Sequence, residues 1–323
     1  MIRTVLVTIV VFAYLAFVGV PVLIYTVLSG HRDTLYRVGM WGCRMALRLA
    51  GIKLEIGGQE KIPTDRAVVF MPNHQSMCDP PAVIASLPPV RVLLKKSLFR
   101  VPVLGAGMKL SGFIPVDRQN REQAMRAVEE AVVALRAGHP FLVYPEGTRS
   151  PDGRLLPFKK GGFVMAIKAQ VPIVPISVSG ASKIMRKGEM VIHPGVVRLT
   201  FHDPIPTQGF SLHNRGVLME LVRMAVLSGL AEDEWPLAYR PAVPPARGIH
   251  GVATGGRHEV ALAYGFARAD VNGEFVLYEH PQRGTLHTFP DGSWKHVAPD
   301  GTETTGTGTE ELSRYLSMTR ERG

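Results

Sequence analysis

Val68-Val-Phe-Met-Pro-Asn-His74-Gln-Ser-Met-Cys-Asp79-Pro-Pro81 is an apolar run that stops at a proline and then releases an amide, an imidazole and a carboxylate. A strand covered on both faces reads as a continuous apolar run. It needs no polar cluster at its end unless that end is used. Working outward, similar short runs recur at KLEIGG, VRVLLK, GFIPV, PFLVYP, VPIVPISVS and VVRLTFHDPI, and each predicts a strand. Helical spacing separates them over about 80–86, 121–137, 162–170 and 216–227, with Gly138 ending the second of these. Strands alternating with helices predict an α/β layer built on a largely parallel, mixed sheet.

The chain has 323 residues, 46% of them hydrophobic, and a formal net charge of +10. That length suits one large domain with an appendage. Two cysteines, Cys43 and Cys78, do not make a disulfide scaffold. The basic excess attracts anionic surfaces without choosing among membrane, nucleic acid and acidic protein. The N-terminal region does choose. Residues 4–30 carry no charge, and an apolar run longer than about 20 residues can cross a bilayer core. It exceeds a signal-peptide core, and no small-residue cleavage site follows. Pro21 predicts a kink, which leaves one span and two interfacial helices as alternatives. Arg32, Arg37, Arg44 and Arg48 then alternate with Leu35, Val38, Trp41, Met45 and Leu49, the pattern of a basic helix lying on headgroups. Four arginines after the run against Arg3 before it place the rest of the chain on the cytoplasmic side of a cell membrane.

In an open α/β sheet, ligands bind beyond the carboxyl ends of the parallel strands. Asn73, His74 and Asp79 fall there. A carboxylate on one ring nitrogen fixes the tautomer of an imidazole and leaves the other nitrogen to take a proton. Asp79 before Pro80 reads equally as a helix start. A second run, Phe141 to Pro145, ends in Glu146-Gly147-Thr148-Arg149, and a third ends in Asp117-Arg118. With Lys95 and Lys96 after VRVLL, these gather Arg and Lys at one edge of the sheet, as phosphate binding requires.

In these segments the chain resembles the glycerolipid acyltransferases related to 1-acylglycerol-3-phosphate O-acyltransferase. Four boxes appear in order: Asn73-His74 to Asp79 (H-x4-D), Gly112-Phe-Ile-Pro-Val-Asp117-Arg118, Tyr144-Pro-Glu146-Gly147-Thr148-Arg149 and Val171-Pro-Ile-Val-Pro175, with Phe158-Lys-Lys-Gly161 before the last. The resemblance is tight over about 68–180 and looser over 30–230. It implies that His74 is a general base oriented by Asp79 and that the acceptor is a lipid hydroxyl. It implies that the donor is an acyl thioester, from acyl-CoA or acyl carrier protein. Asn73, Glu146, Gly147, Thr148 and Arg149 would line the acceptor site, and Arg118 with Lys95 or Lys96 would hold its phosphate. The leading acceptor is 1-acylglycerol 3-phosphate, with phosphatidic acid as product. Other lysophospholipids, glycerol 3-phosphate and acylated amino acids are alternatives within the family. A thioester or lipid hydrolase and a non-catalytic lipid-binding anchor are alternatives outside it. No metal, cofactor or nucleic-acid partner is expected. Cys78 lacks the setting of a nucleophile, and Gly105-Ala-Gly107 does not complete a dinucleotide pattern.

The expected organisation is a membrane anchor with its basic helix over 1–50, an acyltransferase domain over 51–234, a proline-rich linker over 235–248 and a small β-rich module over 249–323. In that module Asn272-Gly273 predicts a hairpin, Pro290-Asp-Gly and Pro299-Asp-Gly predict turns, and Thr309 predicts the cap of a short helix. His280, His287 and His296 match no ordinary zinc spacing.

Overall fold

The computed structural model describes residues 1–117, 120–237, 267–271, 276–280, 284–288, 293–299, 301–307, 311–312 and 315. It divides into two compact units, Met1–Thr207 with Ala225–Leu237, and Gln208–Met224 with Ala238–Gly323.

The first unit opens with α1 (Ile2–Tyr14) and α2 (Val20–Ser29), joined by one π-helical turn over Leu15–Gly19 into a helix of 28 residues. It is long and apolar enough to cross a membrane. Pro21 has no N–H to donate, and the wider turn just before it re-registers the ladder, with Val20 N–H donating to Leu15 O. After Gly30 the basic helix α3 (Arg32–Leu49) folds back antiparallel along it. Tyr25 stacks on His31, Tyr14 lies against Trp41 and donates to Val38 O at 2.8 Å, and Arg3 reaches Gly51. The hairpin is tied to the body of the unit. Ile192 N–H donates to Thr4 Oγ1 at 2.9 Å, and Arg44 donates to Ala85 O at 2.9 Å.

The body follows as β1 (Ile52–Gly57), β2 (Val69–Pro72), α4 (Asp79–Ile84), β3 (Arg91–Lys95), α5 (Leu104–Leu110), β4 (Ile114–Val116), α6 (Arg121–Arg136), β5 (Phe141–Leu142), α7 (Gly161–Ala169), β6 (Ile173–Ser179), α8 (Ala181–Ile184), β7 (Gly195–Phe201) and α9 (Arg215–Ser228). Helix α9 crosses the boundary between the units. The seven strands form one mixed sheet in the order β1-β7-β6-β2-β5-β3-β4. All pairs are parallel except β6 with β7. β2 therefore lies between β5 and β6, and Val69, Phe70 and Met71 are fully buried, as a doubly covered strand requires.

The predicted α/β layer is this sheet. Two strands stop well short of the carboxyl ends of their apolar runs. β5 pairs only over Phe141–Leu142, because the chain turns at once, with Gly147 N–H donating to Tyr144 O. β7 ends at Phe201, because Pro204 cannot continue a ladder, although Ile205 still bridges Ile173. Helix α5, whose two glycines hide it from helical patterning, is an addition to the elements read from sequence.

In the second unit β8 (Ala267–Val271), β9 (Val276–His280), β10 (Gly284–Thr288), β11 (Ser293–Val297) and β12 (Glu303–Thr307) form an antiparallel sheet in consecutive order. The module is β-rich, as expected. The Asn272-Gly273 turn, Pro290-Asp-Gly and the Thr309 cap lie outside the described residues, while β8 and β9 pair on either side of the first. His296 is buried and its Nδ1 pairs with Tyr315 Oη at 2.9 Å.

Candidate functional site

β2 ends at Pro72, and the next six residues form a loop before α4 starts at Asp79. Pro80 and Pro81 sit in the first turn of that helix, where missing N–H groups cost nothing. Each residue of the loop is pinned differently. Asn73 is fully buried and exchanges two bonds with Val178 of β6, its amide donating to Val178 O at 2.9 Å and its oxygen accepting from Val178 N–H at 2.7 Å. Gln75 donates to Gly153 O at 2.9 Å, and Ser76 donates to Met185 O at 2.8 Å. Loop 73–76 is thereby moulded onto three other segments of the unit.

Asp79 does not cap its own helix. Its Oδ2 turns back to the loop and accepts from Gln75 N–H at 2.6 Å and Ser76 N–H at 2.7 Å. The same oxygen lies 2.9 Å from His74 Nδ1. A carboxylate oxygen facing a ring nitrogen assigns the proton to that nitrogen, so Nδ1 donates and Nε2 is left as the acceptor. The Asp79 side chain is completely buried, while 15% of the His74 side chain is exposed. The imidazole is thus the only outlet of the pair. Two further bonds hold the His74 backbone: its N–H donates to Glu146 Oε1 at 2.6 Å, and its carbonyl accepts from Ser150 N–H at 2.8 Å.

Glu146 belongs to the turn after β5. Besides His74, its Oε2 accepts from Leu156 N–H at 3.2 Å. Burial pushes this carboxyl up to about 8, against the pull of the two amide donors, and the nearby Asp79 adds to the rise. Its oxygens are committed to the protein's own backbone, as are the amide oxygen and nitrogen of Asn73. Gly147 has a φ of +70°, and the Lys159 side chain crosses it so closely that a Cβ there would lie 2.9 Å from Lys159 Cδ. The positive φ is what favours glycine at that point, since the flexible Lys159 side chain can swing aside.

Thr148 and Arg149 complete the turn beside Lys187, whose Nζ donates to Thr148 Oγ1 at 3.2 Å and Arg149 O at 3.0 Å. Lys187 was not singled out from the sequence. It comes from a loop 38 residues away, and only the fold brings it here. Lys95 and Lys96 stand at the carboxyl end of β3, on the same side of the parallel strands as His74, and Lys96 donates to Gln123 Oε1 at 3.2 Å. Arg118 lies outside the described residues. Cys78, next to Asp79, is buried. Burial first, and then the Asp79 charge, push its thiol up to about 12.

Behind the site runs a short strap. Glu234 accepts from Gly180 N–H at 2.7 Å through Oε1, and its carbonyl accepts from Leu155 N–H at 2.8 Å. Arg154 donates to Trp235 O at 2.8 Å. The strap thus fixes residues 154–156, and Leu156 in turn fixes Glu146.

Residues 53–179 match the family model described as Acyltransferase. The chain is 34% identical over 196 residues to a 1-acyl-sn-glycerol-3-phosphate acyltransferase of Chlamydomonas reinhardtii, covering 60% of this chain and 57% of that protein. It is 32% identical over 195 residues to a 1-acyl-sn-glycerol-3-phosphate acyltransferase of Limnanthes alba, covering 60% of this chain and 69% of the other. The match spans about half the length of several of these relatives. Among solved structures, the 1-acyl-sn-glycerophosphate acyltransferase PlsC of Thermotoga maritima superposes with a TM-score of 0.63 at 29% identity, over 70% of this chain and 92% of that one. On the agreement of sequence, fold and motif order, the chain belongs to the 1-acyl-sn-glycerol-3-phosphate acyltransferase family.

Proposed function

We propose that the protein transfers a fatty acyl group from a thioester, acyl-CoA or acyl carrier protein, to the free hydroxyl of 1-acylglycerol 3-phosphate, giving phosphatidic acid. One observation carries the reading. A single imidazole, oriented at 2.9 Å by a buried carboxylate, stands at the carboxyl end of a central parallel strand and is the open member of the pair. His74 Nε2 takes the hydroxyl proton as the acceptor oxygen attacks the thioester carbonyl. The new C–O bond forms, the C–S bond breaks, and the imidazolium returns its proton to the departing thiolate. Asp79 keeps Nδ1 protonated and steadies the imidazolium. General-base help of this kind contributes about 10²–10⁴ in rate, and the positioning of two bound substrates supplies much of the rest. A thiol held near 12 is a poor nucleophile at neutral pH, which favours direct transfer over an acyl-Cys78 intermediate.

The acceptor phosphate is assigned to the cations around the Glu146–Arg149 turn. Lys187 bonds to Thr148 and to the Arg149 carbonyl there, and Lys159 crosses Gly147; Arg149, Arg118, Lys95 and Lys96 would add their charges. In this reading Glu146 and Asn73 hold the framework and do not touch substrate. The N-terminal hairpin keeps the site at the cell membrane, with the catalytic unit on the cytoplasmic side and both lipids within reach.

The test is a panel of donors and acceptors on the purified full chain, with products identified by mass. Phosphatidic acid formed from 1-acylglycerol 3-phosphate, lost at least a hundredfold in His74→Ala, is the expected result. Release of free fatty acid alone would make the protein a hydrolase, and preference for an uncharged acceptor would remove the phosphate assignment.

A further inference from the structure

Two buried oxygens beside the imidazole have no hydrogen-bond partner among the described residues: Tyr144 Oη and Asp79 Oδ1. Native proteins rarely leave such atoms unmatched, and each instance calls for an explanation. These two are complementary. A phenol has a proton to give, and a carboxylate oxygen can only accept. Asp79 Oδ2 is saturated by two amides and the imidazole, so Oδ1 is where further acceptor capacity remains.

Tyr144 is placed to matter. Its ring lies on that of His74, with centroids 4.2 Å apart and planes inclined by 34°. Its backbone is fixed on the carbonyl side by Gly147 N–H at 3.0 Å, and the preceding residue is fixed by Val143 N–H on Phe70 O at 2.9 Å. Burial, the Asp79 charge and the Cys78 thiol all push its hydroxyl well above the ordinary phenol value, so it keeps its proton wherever the site works. Cys78 does not compete for it as a donor, since its thiol is already spent on Ser76 Oγ at 3.2 Å.

We propose that Tyr144 is a positioning residue of the His74–Asp79 pair, whose hydroxyl donates to Asp79 Oδ1 in the working enzyme and so sets how tightly the imidazole holds a proton. The proposal rests on the reading of His74 as the base. The two oxygens are not bonded to each other in the structure, and catalytic hydrogen bonds commonly tighten only when substrate is bound. One contact satisfies both orphaned atoms. A donor on Oδ1 draws charge away from Oδ2, weakens its pull on the imidazolium, and eases return of the proton to the leaving thiolate.

The test separates the hydroxyl from the ring. Tyr144→Phe keeps the stacking and removes only the donor. The readout is the pH midpoint of His74 modification by diethyl pyrocarbonate in the full chain, with and without a lysolipid ligand, against His74→Gln as background. It needs no turnover, so it stands whether or not the acyl-transfer reading holds. The titratable groups around the imidazole are Asp79 and Cys78 from the β2–α4 segment and Tyr144 and Glu146 from the segment after β5. Only the Tyr144 hydroxyl differs between the two proteins. With the donor gone, Oδ1 is bare, the imidazolium is held more tightly, and the midpoint moves to higher pH by about threefold in proton affinity in the liganded protein. The acid limb of kcat/KM moves the same way. Coincident midpoints, or a downward shift, would overturn the proposal. Should Tyr144→Phe fail to fold, site-specific 3,5-difluorotyrosine at position 144, a stronger donor, must move the midpoint down, and no movement would have the same force against it.

Discussion

At Asp79 one oxygen accepts three donors and the other accepts none among the described residues. That asymmetry makes a clean substitution available. In Asp79→Asn the amide oxygen can keep both backbone donors, with the nitrogen taking the place of Oδ1. The loop should therefore hold, and melting should change little. What is lost is the charge facing His74 Nδ1, and turnover should fall about 10³–10⁴-fold, by analogy with neutralised triad aspartates. Activity within threefold of the parent would leave the carboxylate only its role in shaping the loop. Glu146 ties stability to pH. Its carboxyl binds a proton more tightly folded, at about 8, than unfolded, near 4.5. The stability it contributes is full below about 4.5 and is lost as pH rises through 8. The parent should melt progressively lower between pH 5 and 9. Glu146→Gln, which must aim an amide nitrogen at one of two N–H groups, should start about 1–3 kcal/mol lower but vary less with pH. Parallel melting curves for the two proteins would refute the assignment.

Among the elements, the α1–α3 pairing sets a sharp contrast between two glycines of one helix. Ala ordinarily improves a helix interior over Gly by about 1 kcal/mol. At Gly39 a Cβ meets nothing within 4 Å, and Gly39→Ala should show that gain. At Gly42 the same atom would lie 2.5 Å from Tyr14 Cε1, in a ring anchored through its hydroxyl to Val38 and packed on Trp41. Overpacking of about 1–3 kcal/mol then outweighs propensity. Gly42→Ala should melt lower and be nicked faster by protease near Gly30. Equal stability of the two variants would mean that the helices do not pack at Tyr14. How far such elements were legible in the sequence follows from the physics of each. β2, β3, β6, α6 and α7 were readable because continuous apolar runs and helical spacing are properties of the segment itself. The His74–Asp79 pairing was readable because one loop supplies both groups. The direction of Asp79, back to loop amides instead of onto its helix, was not, because it depends on how loop 73–76 is moulded by Val178, Gly153 and Met185. For the same reason the bonds that Glu146 accepts from His74 and Leu156 were not readable, and Lys187 went unread altogether.

For the whole molecule, the apolar helix cannot be considered apart from its partner. It is long enough to cross a bilayer core, but α3 lies antiparallel along it and carries Arg32, Arg37, Arg44 and Arg48. Each arginine at the bilayer centre would cost about 2.5–3.5 kcal/mol. The run is one continuous helix rather than two short ones, and its pairing with α3 favours a hairpin lying at headgroup depth, apolar helix inward and arginines outward. The full chain should bind anionic vesicles more tightly than neutral ones, with the difference shrinking as salt rises. Trp41, 57% exposed, should be quenched by lipids brominated near the headgroup more than by those brominated at the chain ends. Labelling of an introduced cysteine at Ile2 from the face opposite the catalytic unit would establish a span instead. The strap at Glu234 adds an order in time. Its bonds to Gly180 and Leu155 complete the support behind Glu146 and His74, and synthesis runs from the N-terminus. A nascent chain therefore exposes its apolar hairpin long before Glu234 leaves the ribosome. If the proposed chemistry holds, an incomplete chain would therefore carry its apolar anchor but no finished centre, and could not waste an activated acyl group.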